Sequence, residues 1–183
     1  MMIRAAVVGD APELGRVMVE SWLSAHRDQM PHVAWQRRAD EWTADVSGRG
    51  WARVMADQVD GSAPHDVLLV AEDDSRAVQA LVYGTPADDD VSGAIAEIGA
   101  LYVSPDRRGQ GIGAALLRAG ARELAQLGFT TLRLSVLTAN RPARGFYEAM
   151  GAHEIGQGTF DEEGCLLPVT VYEWSDVNAL VGE

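Results

Sequence analysis

The segment best equipped for chemistry is Arg107-Arg108-Gly109-Gln110-Gly111-Ile112-Gly113-Ala114. It joins a run that reads as a strand, Ile95 to Val103, to one with helical spacing, Ile112 to Leu127. Glycines at such a junction let the backbone approach an anion closely. The unpaired amides at the helix start then point at that anion, and the helix dipole adds to the attraction. Two linked phosphoryl groups suit this turn. Gly109-x-Gly111-x-x-Ala114 also fits a loose dinucleotide fingerprint, which would make the protein a nicotinamide oxidoreductase. Two features oppose that reading. Ser104 to Arg108 separate the strand from the first glycine, and no Asp or Glu lies between Glu123 and Glu148 to bind a ribose hydroxyl. A nucleoside triphosphate site would need a lysine, but all 15 basic residues are arginine. The same lack removes lysine Schiff-base and general-base chemistry. The expected ligand carries a pyrophosphate and is held mostly by backbone amides.

The elements that position this turn follow from periodicity. Asp10 and Glu13 read as a capping box, with Pro12 in the first turn of a helix that places Leu14, Val17, Met18, Ser21, Trp22 and Ala25 on one face. A second helix is expected over Ala34 to Val46 and a short one over Trp51 to Met55. Val67 to Ala71 and Val78 to Tyr83 read as a hairpin around Asp73-Asp74-Ser75-Arg76. After the acidic loop at Asp88, Asp89 and Asp90 come the strand Ile95 to Val103 and the helix Ile112 to Leu127, stopped by Gly128. Leu132 to Leu137 is a strand. Arg141 to Met150 is a helix with Asn140 as N-cap, Pro142 in its first turn and Gly151 at its end. His153 to Phe160 and Leu166 to Trp174 form a last hairpin around Asp161-Glu162-Glu163-Gly164. This order predicts one α/β domain over residues 1–183, a mixed sheet with helices on both faces.

Composition narrows the function further. The 183 residues are 47% hydrophobic and 23% charged, which suits a globular chain with a full core. No apolar run reaches the roughly 18 residues of a membrane span, and the opening stretch is too short for a signal peptide. The net charge of −12 argues against nucleic acid and anionic membranes as partners. The lone Cys165 excludes an intrachain disulfide and fits a reducing, cytoplasmic location. The four histidines show no metal-ligand spacing, so no metal is expected.

Two blocks carry a family resemblance. Arg108-x-x-Gly111-x-Gly113, preceded by Glu97-Ile98-Gly99-Ala100-Leu101-Tyr102-Val103-Ser104-Pro105, resembles the acetyl-CoA signature of the GNAT family of N-acetyltransferases. Asn140-Arg141-Pro142-Ala143-Arg144-Gly145-Phe146-Tyr147-Glu148-Ala149-Met150-Gly151-Ala152 resembles the family's Asn-x-x-Ala-x-x-Phe-Tyr-x-x-x-Gly-Phe block, with Ala152 in place of the final aromatic. The opening Ile3-Arg4-x-Ala6, Asp10-Ala11 and the phrase Glu20-Ser21-Trp22 resemble bacterial members.

The resemblance implies a mostly antiparallel sheet with one splayed parallel pair, and acetyl-CoA as co-substrate with its pantetheine arm in the gap. It implies backbone contacts at Leu101, Tyr102 and Val103 and a pyrophosphate held along Arg108, Gly109, Gln110, Gly111, Ile112, Gly113 and Ala114. It adds Asn140 and Phe146 beside the arm, and Arg144 or Arg141 toward the adenosine end. The reaction implied is acetyl transfer to a primary amine of a small molecule or peptide, by direct attack in a ternary complex. An alkyl amine with a pKa of about 10.4 is mostly protonated at neutral pH, so removing its proton costs roughly 4–5 kcal/mol. A carboxylate near the amine is therefore useful, and Glu97 stands where family members often supply the base. Tyr147 matches the family tyrosine that protonates the leaving sulfur. Cys165 has no neighbouring histidine in sequence to activate it as an acyl carrier. Trp22, His26, Trp35 and Trp42 are candidates for core or for the acceptor wall, with Trp22 or His26 nearest the acceptor. The family often forms a homodimer. The alternative function is a catalytically silent CoA-binding sensor or interaction module.

Overall fold

The computed structural model describes residues 1–162 and 164–181. Its first half contains β1 (Met2–Ala5), α1 (Ala11–His26), α2 (His32–Glu41), α3 (Ala44–Asp60), β2 (Val67–Glu72) and β3 (Val78–Pro86). The second half contains β4 (Ile95–Val103), α4 (Ile112–Gln126), β5 (Thr131–Leu137), α5 (Arg141–Ala149), β6 (His153–Glu162), β7 (Cys165–Trp174) and α6 (Val177–Val181). Among the described residues seven strands form one sheet, ordered β1-β2-β3-β4-β5-β7-β6. Every neighbouring pair is antiparallel except β4 with β5. The fold is thus mixed α/β with a mostly antiparallel sheet. Of the turn expected between the last two strands, Glu163 lies outside the described residues.

Two apolar layers cover the sheet. On one face α4 and α6 bury Leu116, Leu117, Leu124 and Leu180 against Ala96, Ile98, Leu132 and Leu134. On the other, α1 and α3 bury Leu14, Val17, Trp51 and Met55 against Val70, Leu81 and Ala100. The α1 and α3 backbones touch, since a Cβ on Gly15 would lie 2.2 Å from the Ala44 carbonyl oxygen.

The first third of the chain departs from its sequence pattern. Asp10 does not cap α1: its carboxylate accepts from Arg4 Nη1 at 2.7 Å, Arg4 Nη2 at 2.9 Å and the Val7 amide at 2.8 Å. Arg4 also bonds the buried Glu72 at 2.7 Å, which fixes the unexpected edge strand β1, and its guanidinium holds the Asp10 carboxyl below the usual range. The helix expected over Ala34 to Val46 breaks at Trp42. Thr43 caps a new helix, its hydroxyl accepting from Val46 N at 3.3 Å. Local capping overrode an apolar pattern that nothing buries, because α2 has no buried residue and Val46 is exposed.

The feature that makes room for a site is a β-bulge at Gly99. Ile98 faces Gly84 and Ala100 faces Tyr83, so Gly99 has no partner on β3. One extra residue bends a strand and flips its faces. Ala96 and Ile98 lie in the α4-side core, whereas beyond the bulge Ala100 lies in the α1-side core and Leu101 and Val103 turn toward α4. The parallel pairing of β4 with β5 covers only Ile95–Thr131, Ala96–Leu132 and Glu97–Arg133. Beyond Glu97 the two strands part.

Candidate active site

The parting strands open a cleft of about 940 Å³. Its floor is the closed end at Glu97; its sides are β4 from Ile98 to Val103 and β5 from Leu134 to Leu137. Strand alternation directs polar backbone into the gap. The Ser104 amide donates to Gln79 O at 2.8 Å on the β3 side, so the amides of Val103 and Leu101 point away from β3. The Val103 carbonyl does likewise, but it already accepts from the buried Ser21 hydroxyl at 3.0 Å. Of the Val103 groups, only the amide is left for a ligand.

The glycine-rich turn sits at the open end of the cleft. Gly109 and Gly111 have φ of +74° and +79°, which only glycine adopts at little cost, and a Cβ on either would point into open space. Gly111 is the N-cap of α4 and brings no side chain to cap it. The first amides of α4 are therefore presented outward with the positive end of the dipole. A Cβ on Gly113 would lie 3.5 Å from Val103 Cγ2 and 3.7 Å from Phe146 Cζ, both cleft residues. The Arg108 side chain turns the other way. It donates to Ser21 O at 3.0 Å, to Ser24 Oγ at 3.3 Å and to Val103 O at 3.4 Å, tying the turn to α1.

Glu97 lies beside the acidic loop. Partial burial and the charges of Asp89 and Asp88 raise its carboxyl above the ordinary value, against a smaller opposing effect of Arg133. Arg133, its partner across the strands, spends its guanidinium on Glu173 at 2.8 Å and Asp89 at 3.9 Å. Among the described residues no hydrogen bond reaches the Glu97 carboxylate.

Tyr147, on α5, is held by aromatic contacts: Phe146 at 5.2 Å, Tyr172 at 6.4 Å and Trp174 at 6.3 Å between ring centroids. The ring is buried and lines the cleft, yet its hydroxyl makes no hydrogen bond with the described residues. Burial, with a smaller contribution from Tyr102, pushes the phenol above its ordinary value, so it stays protonated. Asn140 also lines the cleft while its Oδ1 accepts from Ala143 N at 3.2 Å, so the N-cap and cleft positions coincide.

On the α1 side the wall is Trp22, His26, Tyr102, Phe160 and Glu162. His26 is buried, and its Nδ1 lies 2.8 Å from Trp22 O; a carbonyl only accepts, so Nδ1 carries a proton, and in the neutral ring Nε2 keeps its lone pair. Burial is the main cause that pushes this imidazole toward neutrality. Glu162 is 5% exposed and bridges to Arg38 Nε at 3.3 Å; the Arg38 guanidinium lies over Trp42 at 4.3 Å and Trp22 at 5.6 Å. Sequence reasoning missed Phe160, Glu162 and Arg38, which come from the last hairpin and α2. No local motif marks them.

Other expected residues stand outside the cleft wall. Arg144 donates to Tyr172 Oη at 3.0 Å and pairs with Glu154 at 3.4 Å, at a depression that it lines with Arg141 and that adjoins the cleft at Leu137 and Leu167. Gln110 is exposed and reaches back to Asp106 O at 3.4 Å. Cys165 starts β7 and does not itself line the cleft, although its cross-strand partner Glu162 does, and Trp35 bonds Leu23 O instead.

A sheet split between two parallel strands, with an uncapped helix start at the mouth of the split, defines an acetyltransferase fold. Residues 21–152 match the model of the acetyltransferase (GNAT) family, and the chain belongs to that family. It is 26% identical over 183 residues to the uncharacterized N-acetyltransferase YuaI of Bacillus subtilis (strain 168), covering 97% of this chain and 95% of that one. The solved N-acetyltransferase of Staphylococcus aureus Mu50 superposes with a TM-score of 0.72 at 18% identity, over 96% of this chain and 98% of that one. A GNAT superfamily phosphinothricin acetyltransferase (Pat) from Sinorhizobium meliloti, solved in complex with AcCoA, gives 0.71 at 22% identity, over 94% and 86% of the two chains. The protein is an N-acetyltransferase.

Proposed function

We propose that the protein moves an acetyl group from acetyl-CoA to a primary amine by direct attack in a ternary complex. The observation that carries this reading is the gap beyond Glu97, with unpaired backbone on one side and the uncapped start of α4 at its mouth. These groups fit acetyl-CoA. The amides of Leu101 and Val103 would hold the pantetheine arm and those from Arg108 to Ala114 the pyrophosphate, with Asn140 and Phe146 beside the arm. The bound thioester supplies an activated acetyl group. Glu97 accepts the proton that the acceptor ammonium must lose, directly or through water, at its carboxylate oxygens. Tyr147 gives its hydroxyl proton to the leaving sulfur. Cys165 takes no part, since it does not line the cleft. The chain acts as one domain, and a homodimer is compatible with this site.

Thiol release with a panel of amines separates an enzyme from a silent CoA-binding module: release that depends on both substrates is expected, and a bound but unreactive acetyl-CoA would refute transfer. Gly113→Val tests the turn. The protein side tolerates a Cβ there at ordinary contact distance, so the fold should survive. The branched side chain enters the space between Val103 and Phe146, at an overpacking cost of roughly 1–3 kcal/mol, and CoA affinity should fall about 10- to 100-fold. Unchanged affinity by calorimetry in a folded variant would remove the turn from the binding site.

A further inference from the structure

We infer that the acceptor is a primary amine on an apolar, aromatic-sized body with no carboxylate next to the amine. This rests on the acetyl-transfer reading above and names the substrate class of the same cleft. An amine poised for Glu97 at the floor of the cleft sits in a negative field made by Glu97 itself, Asp88 and Asp89. A carboxylate two bonds from that nitrogen would enter the same field.

The cations nearest the floor of the cleft are already paired. Arg133 is held by Glu173 and Asp89, and Arg38 by Glu162 between two indole rings. Arg107 is paired with Asp106 at 3.5 Å and Asp73 at 3.9 Å. Arg108 keeps its charge, since its partners are neutral oxygens, but it is tied to Val103 O and Ser21 O at the opposite end of the β4 wall from Glu97. Arg141 and Arg144 line the depression beyond Leu137, at the other end of β5. At about 3.3 Å per residue, Leu137 alone is roughly 13 Å along the strand from the Arg133 level where Glu97 pairs. An α-carboxylate cannot span that distance. The rest of the wall suits a flat apolar body. Trp22 is fixed by His26 at 4.7 Å and by the edge of Trp42 at 5.7 Å, and Phe160 is half-exposed in the cleft. Burial disfavours the charged form of His26.

The test uses the whole protein and three acceptors with one ring system: phenethylamine, phenylalanine and phenylalanine amide. kcat/KM is measured for each and corrected for the free-amine fraction. Phenethylamine should exceed phenylalanine by at least about 100-fold, the scale of an uncompensated like-charge contact in a partly desolvated site. The amide, which keeps the bulk and loses the charge, should recover most of that factor. Phenylalanine within about threefold of phenethylamine overturns the inference, and so does an amide as poor as the acid, which would show that bulk is rejected. Binding of acetyl-CoA with transfer to none of the three also overturns it. Failure to bind acetyl-CoA would instead remove the acetyl-transfer reading beneath it.

Discussion

Tyr147→Phe is expected to lower kcat by about 10²–10⁴-fold, toward the smaller figure, while acetyl-CoA binding and thermal stability stay near wild type. The structure makes this substitution unusually clean. The hydroxyl bonds none of the described residues, so its removal leaves no orphaned partner, and the ring keeps its contacts with Phe146, Tyr172 and Trp174. A purely structural tyrosine without a hydrogen bond would lose nothing on becoming Phe. Any loss of rate therefore reports the proton. The loss stays modest because a thiolate, with a pKa near 8.5, is already a tolerable leaving group. A donor thioester with a more acidic thiol should be less sensitive still. Steady-state kinetics with two thioesters measures both effects, and equal rates under chemistry-limited turnover would leave Tyr147 a packing residue.

Glu97→Gln is expected to reduce kcat/KM by about 10²–10³-fold near neutral pH and to recover part of that as pH rises toward the amine pKa, where solution supplies free amine. A uniform loss across the pH range would instead mark a structural role. The same variant should be more stable than wild type at neutral pH. Burial, Asp89 and Asp88 raise the carboxyl in the fold, so the ionised form is disfavoured there relative to the unfolded chain. Below the unfolded pKa both states hold the proton and the effect vanishes. It appears as pH rises through the unfolded and then the folded value, and remains above both. Urea melts at acid and neutral pH should show the variant gaining on wild type only at the higher pH. A destabilised variant at neutral pH would contradict this account of the Glu97 environment.

Elements with a strong local signal were legible. The glycine-rich turn, the α4 and α5 helices with their Gly128 and Gly151 stops, and the alternating strands all stand where periodicity puts them, and both glycines have positive φ. The failures have two causes: a local cap overrode an apolar pattern, and partners distant in sequence supplied what local pattern did not. β1 is four residues long and exists because Arg4 finds Asp10 and Glu72, neither adjacent in sequence. The α2–α3 break was written in Thr43, but Trp35, Trp42 and Val46 suggested one continuous face that no core ever covers. The bulge had a visible marker in Gly99, an isolated glycine inside a strand. Its effect, the change of faces that opens the cleft, depends on β3 and β5 and cannot be read from β4 alone. The wall made by Glu162 and Phe160, with Arg38 behind it, is likewise a product of topology, because β6 and α2 meet beside Trp22 only in the folded chain.

The three-pair junction between β4 and β5 also bears on how the molecule breathes. A strand with three neighbours on either side would ordinarily hold the slowest-exchanging amides of the sheet. Here the sheet is two ribbons, β1 to β4 and β5 to β7, joined by three rungs near Glu97 and by the helices that straddle them. The Leu101 and Val103 amides, central in the strand order, should trade hydrogen for deuterium at rates typical of a solvent-facing rim, whereas the Ser104 amide bonded to Gln79 should be protected. CoA in the gap would act as a substitute rung: the two fast amides should slow when it binds, and the ribbons should then open as one cooperative unit instead of two.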